Sequence, residues 1–310
     1  MSKVCLIKSN EIVNGSGLFA HNDNIVTWDS DLELLENGYQ MFYHCDALTD
    51  FRALTPNLKN GHYMFCANGR MDDRTIRFSS ESLENGQKMF MDWYQDIDTL
   101  HLRSNERLQS CWTFPKLKNG QYMFSGTKTY VYQMDDSNGI PLHGYVSFPS
   151  METGACMFYN YRFTDGNSFW LDDVMPKCVN FYGMFASSNL QSFGCPKFFD
   201  GLNGQEFGNS TPLRQAYDNL SSSDEHYSFG ANYNYFASFS DMFENCHVLE
   251  SFVGEIASLS GSIRNNLSTN GIECNNMFRN CDKLTSVQFG GGLMDCVKSA
   301  YGMFQECNKL

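Results

Sequence analysis

The chain has 310 residues, a mass of 35.4 kDa and a formal charge of -13. That acidity excludes the basic stripe a nucleic-acid surface needs and the polybasic patch of a membrane-surface contact. Apolar residues make up 42% and charged residues 18%, enough apolar material for a large core, and no apolar run is long enough to span a bilayer.

In chain order, residues 1–27 are moderately polar and carry no Met-Phe pair. They read as an N-terminal cap, a docking segment for a larger assembly, or a disordered tail. They contain no apolar core of a secretion signal.

From residue 28 to 310 the dipeptide Met-Phe recurs, at Met41-Phe42, Met64-Phe65, Met89-Phe90, Met123-Phe124, Met157-Phe158, Met184-Phe185, Met242-Phe243, Met277-Phe278 and Met303-Phe304. Four copies are preceded by Leu-(Glu/Lys)-Asn-Gly, beginning at Leu35, Leu58, Leu83 and Leu117. Cys follows Phe by three residues and Leu follows Cys by three in Cys45/Leu48, Cys246/Leu249, Cys281/Leu284 and Cys307/Leu310. Asn-Gly predicts a tight turn with positive φ. Met-Phe-x-x-Cys-x-x-Leu has helical spacing and predicts a short helix or 3₁₀ turn. The following Leu-x-x-Phe predicts a strand.

One such unit cannot bury its apolar face alone. Stacked copies bury it in ladders of Met, Phe and Cys, so the expected fold is a repeat solenoid. The stretch Tyr130 to Gly139 alternates and ends in Asn-Gly, which predicts a β-hairpin inserted into a repeat. The gap between Phe185 and Phe243 holds a degenerate copy, Leu202 to Phe207.

The recurring Met-Phe-x-x-Cys-x-x-Leu resembles the BspA-type leucine-rich repeats over roughly residues 28–310. The resemblance implies a leucine-rich-repeat-like right-handed coil of short strands and short helical or 3₁₀ turns, several repeats being expanded by hairpins. Members of that family include bacterial surface adhesins, secreted protist proteins and phage-encoded proteins. The implied function is a non-enzymatic binding or structural module. A phage virion, as tail fibre or decoration protein assembled in the host cytoplasm, is the first expectation, and a bacterial cell-surface adhesin is the second. Expected partners are a protein or glycan on a cell surface, or neighbouring virion proteins, with several copies in one assembly. Neither nucleic acid nor membrane insertion is expected.

Residues 205–237 are the least repeat-like. Tyr227, Phe229, Tyr233 and Tyr235 lie there among Ser, Gly and Asn, either as a recognition loop or as packing over an irregular repeat. The chain stops at Leu310 inside a unit, which reads as part of a longer protein.

No catalytic constellation is legible. The seven His form no ligand spacing, Cys-x-x-Cys is absent, and Gly290-Gly291-Gly292 has no phosphate-loop context. The repeat Cys read as free buried thiols. The acidic groups Asp135-Asp136 and Asp165 with Asp172-Asp173 read as solvated surface, with no calcium-loop spacing. No cofactor and no metal is expected. A carboxylate pair for glycan hydrolysis stands as a remote third reading.

Overall fold

The computed structural model describes residues 9–67, 73–79, 81–91, 98–103, 114–132, 148–163, 168–169, 175, 177–195, 235, 237–255 and 271–310. It is strand-rich, with every strand short and every described pairing parallel. One sheet contains β1 (Thr27–Asp29), β2 (Asp50–Arg52), β3 (Asp73–Arg77), β4 (Asp98–Arg103) and β5 (Thr127–Tyr132) in sequence order. A second contains β6 (Ser168–Phe169), β7 (Ser192–Cys195), β9 (Ser251–Glu255) and β11 (Ser286–Gly290). A third joins β8 (Ala237–Ser238), β10 (Ile272–Glu273) and β12 (Val297–Ser299).

The repeats meet in register. Phe51, expected in a strand, lies in β2 and is buried. A second ladder of single parallel bridges runs Asn14–Asn37–Asn60–Asn85–Asn119–Thr153–Asn180–Ser238. It continues through β8, β10 and β12.

Between the two ladders runs a column of phenylalanines. Phe19, Phe42, Phe65, Phe90, Phe124, Phe158, Phe185, Phe243, Phe278 and Phe304 stack in that order. Consecutive centroids are 5.2–5.8 Å apart, with interplanar angles of 1–24°. Offset stacking of this kind adds about 0.5–1.5 kcal/mol per pair beyond burial.

Three sequence expectations need correction. First, the Met-Phe segment is not helical. Alternate N–H groups leave the segment: Gly38, Gln40, Phe42 and His44 donate to the carbonyls of Asn60, His62, Met64 and Cys66 at 2.7–3.2 Å. Met41 and Tyr43, between them, close four-residue turns, as in Met41 N–H to Gly38 C=O at 2.9 Å. The chain keeps this alternation by taking left-handed φ four residues apart, at Gln40 (52°) and His44 (51°), at Asp241 and Asn245, and at Asn276 and Asn280. A helix would direct those donors back along its own axis, so the repeat-to-repeat bonds win. The described 3₁₀ turns, Ser9–Glu11 and Leu293–Cys296, lie elsewhere.

Second, the Gly of Asn-Gly is a packing residue. Gly38, Gly61 and Gly86 do not have positive φ. A Cβ at Gly38 would stand 2.7 Å from Met64 Sδ, and one at Gly61 2.8 Å from Met89 Sδ. The Met of each following repeat therefore fills the space that a side chain here would take. The Asn makes the turn instead: Asn37 Oδ1 accepts from Tyr39 N–H at 3.0 Å, and Asn60 Oδ1 from His62 N–H at 3.1 Å.

Third, the stacking starts before residue 28. Asn14-Gly15 and Leu18-Phe19 align with Asn37-Gly38 and Met41-Phe42, and Phe19 joins the column. Leu replaces Met there, which hid the unit, and Leu18 is 45% exposed.

Further along the column, Phe185 stacks directly on Phe243 at 5.5 Å; the degenerate copy read at Leu202 to Phe207 lies outside the described residues. Tyr130–Tyr132, expected in a hairpin, belong to the parallel strand β5 paired with β4; residues 133–139 lie outside the described set.

Candidate functional site on the outer face of the Met-Phe turns

The repeat residues singled out in the sequence build the interior. Met41, Phe42, Cys45, Met64, Met89, Met123, Met157, Met184, Phe185, Met242, Phe243, Cys246, Leu249, Met277, Phe278, Cys281 and Leu284 are at 0% exposure. Leu48, Phe65, Phe90, Phe124, Phe158 and Met303 are also buried, Cys307 is half-buried, and Phe304 is 38% exposed at the last rung.

The Cys positions are hydrogen-bond donors. Cys45, Cys246, Cys281 and Cys307 Sγ donate to the carbonyls of Phe19, Phe185, Phe243 and Phe278 at 3.0–3.2 Å. Burial pushes the Cys45 thiol up to about 11 and the Cys246 thiol up to about 12, so neither is a nucleophile at neutral pH. In copies without Cys, Thr127 and Ser188 supply a hydroxyl at that position: Thr127 Oγ1 donates to Phe124 C=O at 2.8 Å, and Ser188 Oγ is 3.6 Å from Cys246 Sγ.

The sequence-nominated loop residues Tyr227, Phe229 and Tyr233 lie outside the described residues, as do Asp135, Asp136, Asp165, Asp172 and Asp173. Tyr235 is half-buried against the main core.

Chemistry gathers instead on the outer face of the turns, a surface the sequence reading missed. The two left-handed residues of each turn, and the residues just before them, point away from the Phe column. In the early repeats these positions hold Tyr39, Tyr43, His44, His62, Tyr63, Lys88 and Tyr122. Tyr43 meets Tyr63 at 5.8 Å and His44 at 4.4 Å, both edge-on, and His62 stacks on Tyr63 at 4.3 Å. His44 also stacks on His21 at 5.1 Å, and burial, then the His21 charge, lowers its pKa.

Lys88 is 2% exposed and its Nζ donates to the Tyr63 hydroxyl at 2.5 Å. The ammonium is 4.8 Å from the Tyr63 ring centroid and 5.9 Å from that of Tyr122, a cation–π setting. Cys66, Ala67 and Met91 lie beneath as a small second core. Further along, burial raises the Tyr122 phenol, which bonds to Cys156, and burial and then the hydrogen bond to Asp241 raise the Tyr182 phenol. Tyr159 is 41% exposed.

In the Met242 and Met277 repeats the same face turns polar. Ser240, Asp241, Asn275, Asn276, Arg279 and Asn280 occupy it, and Arg279 pairs with Glu244. The shielded Ser240 Oγ, Asp241 Oδ1, Asn276 Oδ1, Arg279 Nε and Asn280 Oδ1 have no hydrogen-bond partner among the described residues.

Among the described residues no three His, Cys, Asp or Glu converge on one point as a metal set. No described helix is long and apolar enough to cross a membrane. Comparison with family models, with curated proteins and with solved structures finds no match.

Proposed function

We propose that the chain is a solenoid of leucine-rich-repeat-like units and works as a non-enzymatic recognition or structural module. The reading supported best is a phage virion component, a tail fibre or decoration protein, that meets a host-surface or virion partner through the outer face of its turns. The observation that carries it is the row of tyrosines on that face. Tyr39, Tyr43, Tyr122 and Tyr182 are half-buried and Tyr159 is exposed. They sit on a backbone fixed by bonds to the neighbouring repeats.

Rigid, partly exposed phenols offer contact area at low entropic cost, suited to a sugar ring or a protein surface. Stacked repeats fill the interior with side chains, which leaves recognition to the faces. Several copies on one particle would multiply modest contacts.

The test is binding of the purified chain to host cells, compared with a variant carrying Tyr39→Ser, Tyr43→Ser and Tyr159→Ser, together with peptide mass spectrometry of purified particles. The reading expects peptides of this chain in the particles and at least tenfold weaker binding by the variant. Particles without such peptides would remove the virion assignment, and equal binding would remove the face.

A further inference from the structure

The five-stranded sheet carries a row of like charge. Arg52, Arg77 and Arg103 are register partners on β2, β3 and β4. Phe51 and Ile76, the residues just before the first two, are register partners too and are buried in the core, Phe51 against the rings of Phe42 and Phe65. Side chains alternate along a strand, so the arginine row lies on the face of the sheet away from the Phe column. Arg52 and Arg77 are half-buried there.

Like charges at opposed strand positions destabilise a sheet, and they gather here in a chain of charge -13. The sheet balances the row only in part. Asp29 is the register partner of Arg52, and Arg77 Nη1 donates to Asp50 Oδ1 at 3.1 Å. Asp50 is 47% exposed. Such a pair is worth only about 0–1 kcal/mol, so another carboxylate can take the place of Asp50. The register partners of Arg103 are Arg77 and Tyr132, neither of them acidic. Asp73, on the same face of β3, is at the far end of that strand from Arg77, about 13 Å away.

We propose that the Arg52–Arg77–Arg103 row binds an acidic polysaccharide laid along the stack, with sugar carboxylates meeting successive arginines. The site belongs to the strands and stands or falls without the tyrosines of the turn face.

Three features select this partner. Adjacent strands lie about 4.8 Å apart, close to the length of one sugar unit, so successive units meet successive rungs. The planar guanidinium fork matches a carboxylate with two parallel hydrogen bonds. The row continues to Tyr132 on β5, with Tyr130 at the next position on the same face, and phenol rings suit the apolar face of a sugar. An acidic peptide could not add as a strand here, because strand addition uses a sheet edge and not a sheet face. A nucleic acid needs a longer basic stripe to overcome the acidity of the whole chain.

The experiment measures binding of the full chain to immobilised polygalacturonate, with dextran, polyglutamate and poly(dT) as comparison surfaces. Expected are saturable binding to polygalacturonate that weakens with added NaCl, and none to uncharged dextran. Arg77→Gln combined with Arg103→Gln should weaken binding at least about tenfold. Lys59→Gln combined with Lys118→Gln removes the same charge from exposed lysines paired with Glu36 and Glu84, and should change affinity less than about twofold.

Asp50→Asn releases Arg77 and should tighten binding, which provides an independent reading if the double arginine variant fails to fold. Absence of binding to polygalacturonate overturns the site, as do equal losses in the arginine and lysine variants or unchanged affinity in Asp50→Asn. Tighter binding to polyglutamate or to poly(dT) overturns the choice of partner.

Discussion

Phe185 and Phe243 lie ring on ring at 5.5 Å and 10°, although 58 residues separate them. The backbone agrees: Phe185 N–H donates to Met242 C=O at 2.9 Å and Ser187 N–H to Glu244 C=O at 2.8 Å. These are the contacts any two consecutive repeats make.

That relationship predicts the result of an excision. Replacing residues 201–230 with a short Gly-Ser linker should leave one cooperative unfolding transition. Loop length changes stability by only about 0.6 kcal/mol per doubling, so the urea midpoint should stay or rise slightly. Loss of the C-terminal half of the transition would mean that a rung had been removed.

Gly38→Ala and Gly17→Ala separate two reasons for glycine. At Gly38 the new methyl meets Met64 Sδ, with φ in the ordinary range, so the cost is overpacking of about 1–3 kcal/mol. Gly17 has φ +62° and nothing within 4 Å, so its cost is the left-handed strain alone, about 1–2 kcal/mol. Adding Met64→Leu should rescue Gly38→Ala and leave Gly17→Ala unaffected. Urea unfolding of the two single and two double variants checks this.

Asn60→Ala removes the bond to His62 N–H and the 3.0 Å bond from its Nδ2 to Asn37 Oδ1. A loss of about 1–3 kcal/mol is expected. Asn60→Asp keeps the turn acceptor but not the donor toward Asn37, so it should fall between the two. Chemical denaturation at neutral pH ranks the three proteins.

The buried thiols predict an alkaline limit. Folding raises the Cys45 pKa to about 11 and those of Cys156, Cys178 and Cys246 to about 12, in each case chiefly through burial. Below the ordinary thiol pKa both folded and unfolded chains are protonated, and this stability is fully present. Above it the unfolded chain loses protons first, so stability falls as pH rises from about 8.5 toward 11 or 12. Cys246→Ala should flatten that slope in alkaline urea titrations, and the buried Cys45 and Cys246 thiols should react with a disulfide reagent only after unfolding.

The sequence makes the interior legible because ladder packing repeats the same residue at the same place. Met-Phe-x-x-Cys names the column, and Asp50-Phe51-Arg52 names a strand. Turn geometry is less legible: helical spacing and a run of repeat-to-repeat turns bury the same apolar positions. The signal that separates them is the left-handed pair four residues apart. It shows plainly only from the middle of the chain on, where Asn160, Asn245, Asn276 and Asn280 occupy it. Earlier repeats place Gln40, Tyr63 and Lys88 there, residues that do not announce positive φ. The turn face stayed hidden for the same reason, since Lys88, Tyr63 and Tyr122 come together only across repeats.

The most direct measurement of the stacked column is a double-mutant cycle between Phe185→Leu and Phe243→Leu, read by chemical denaturation. Direct stacking predicts a coupling of about 0.5–1.5 kcal/mol and none between Phe185 and Phe304, three steps along the column. No coupling between Phe185 and Phe243 would contradict the column.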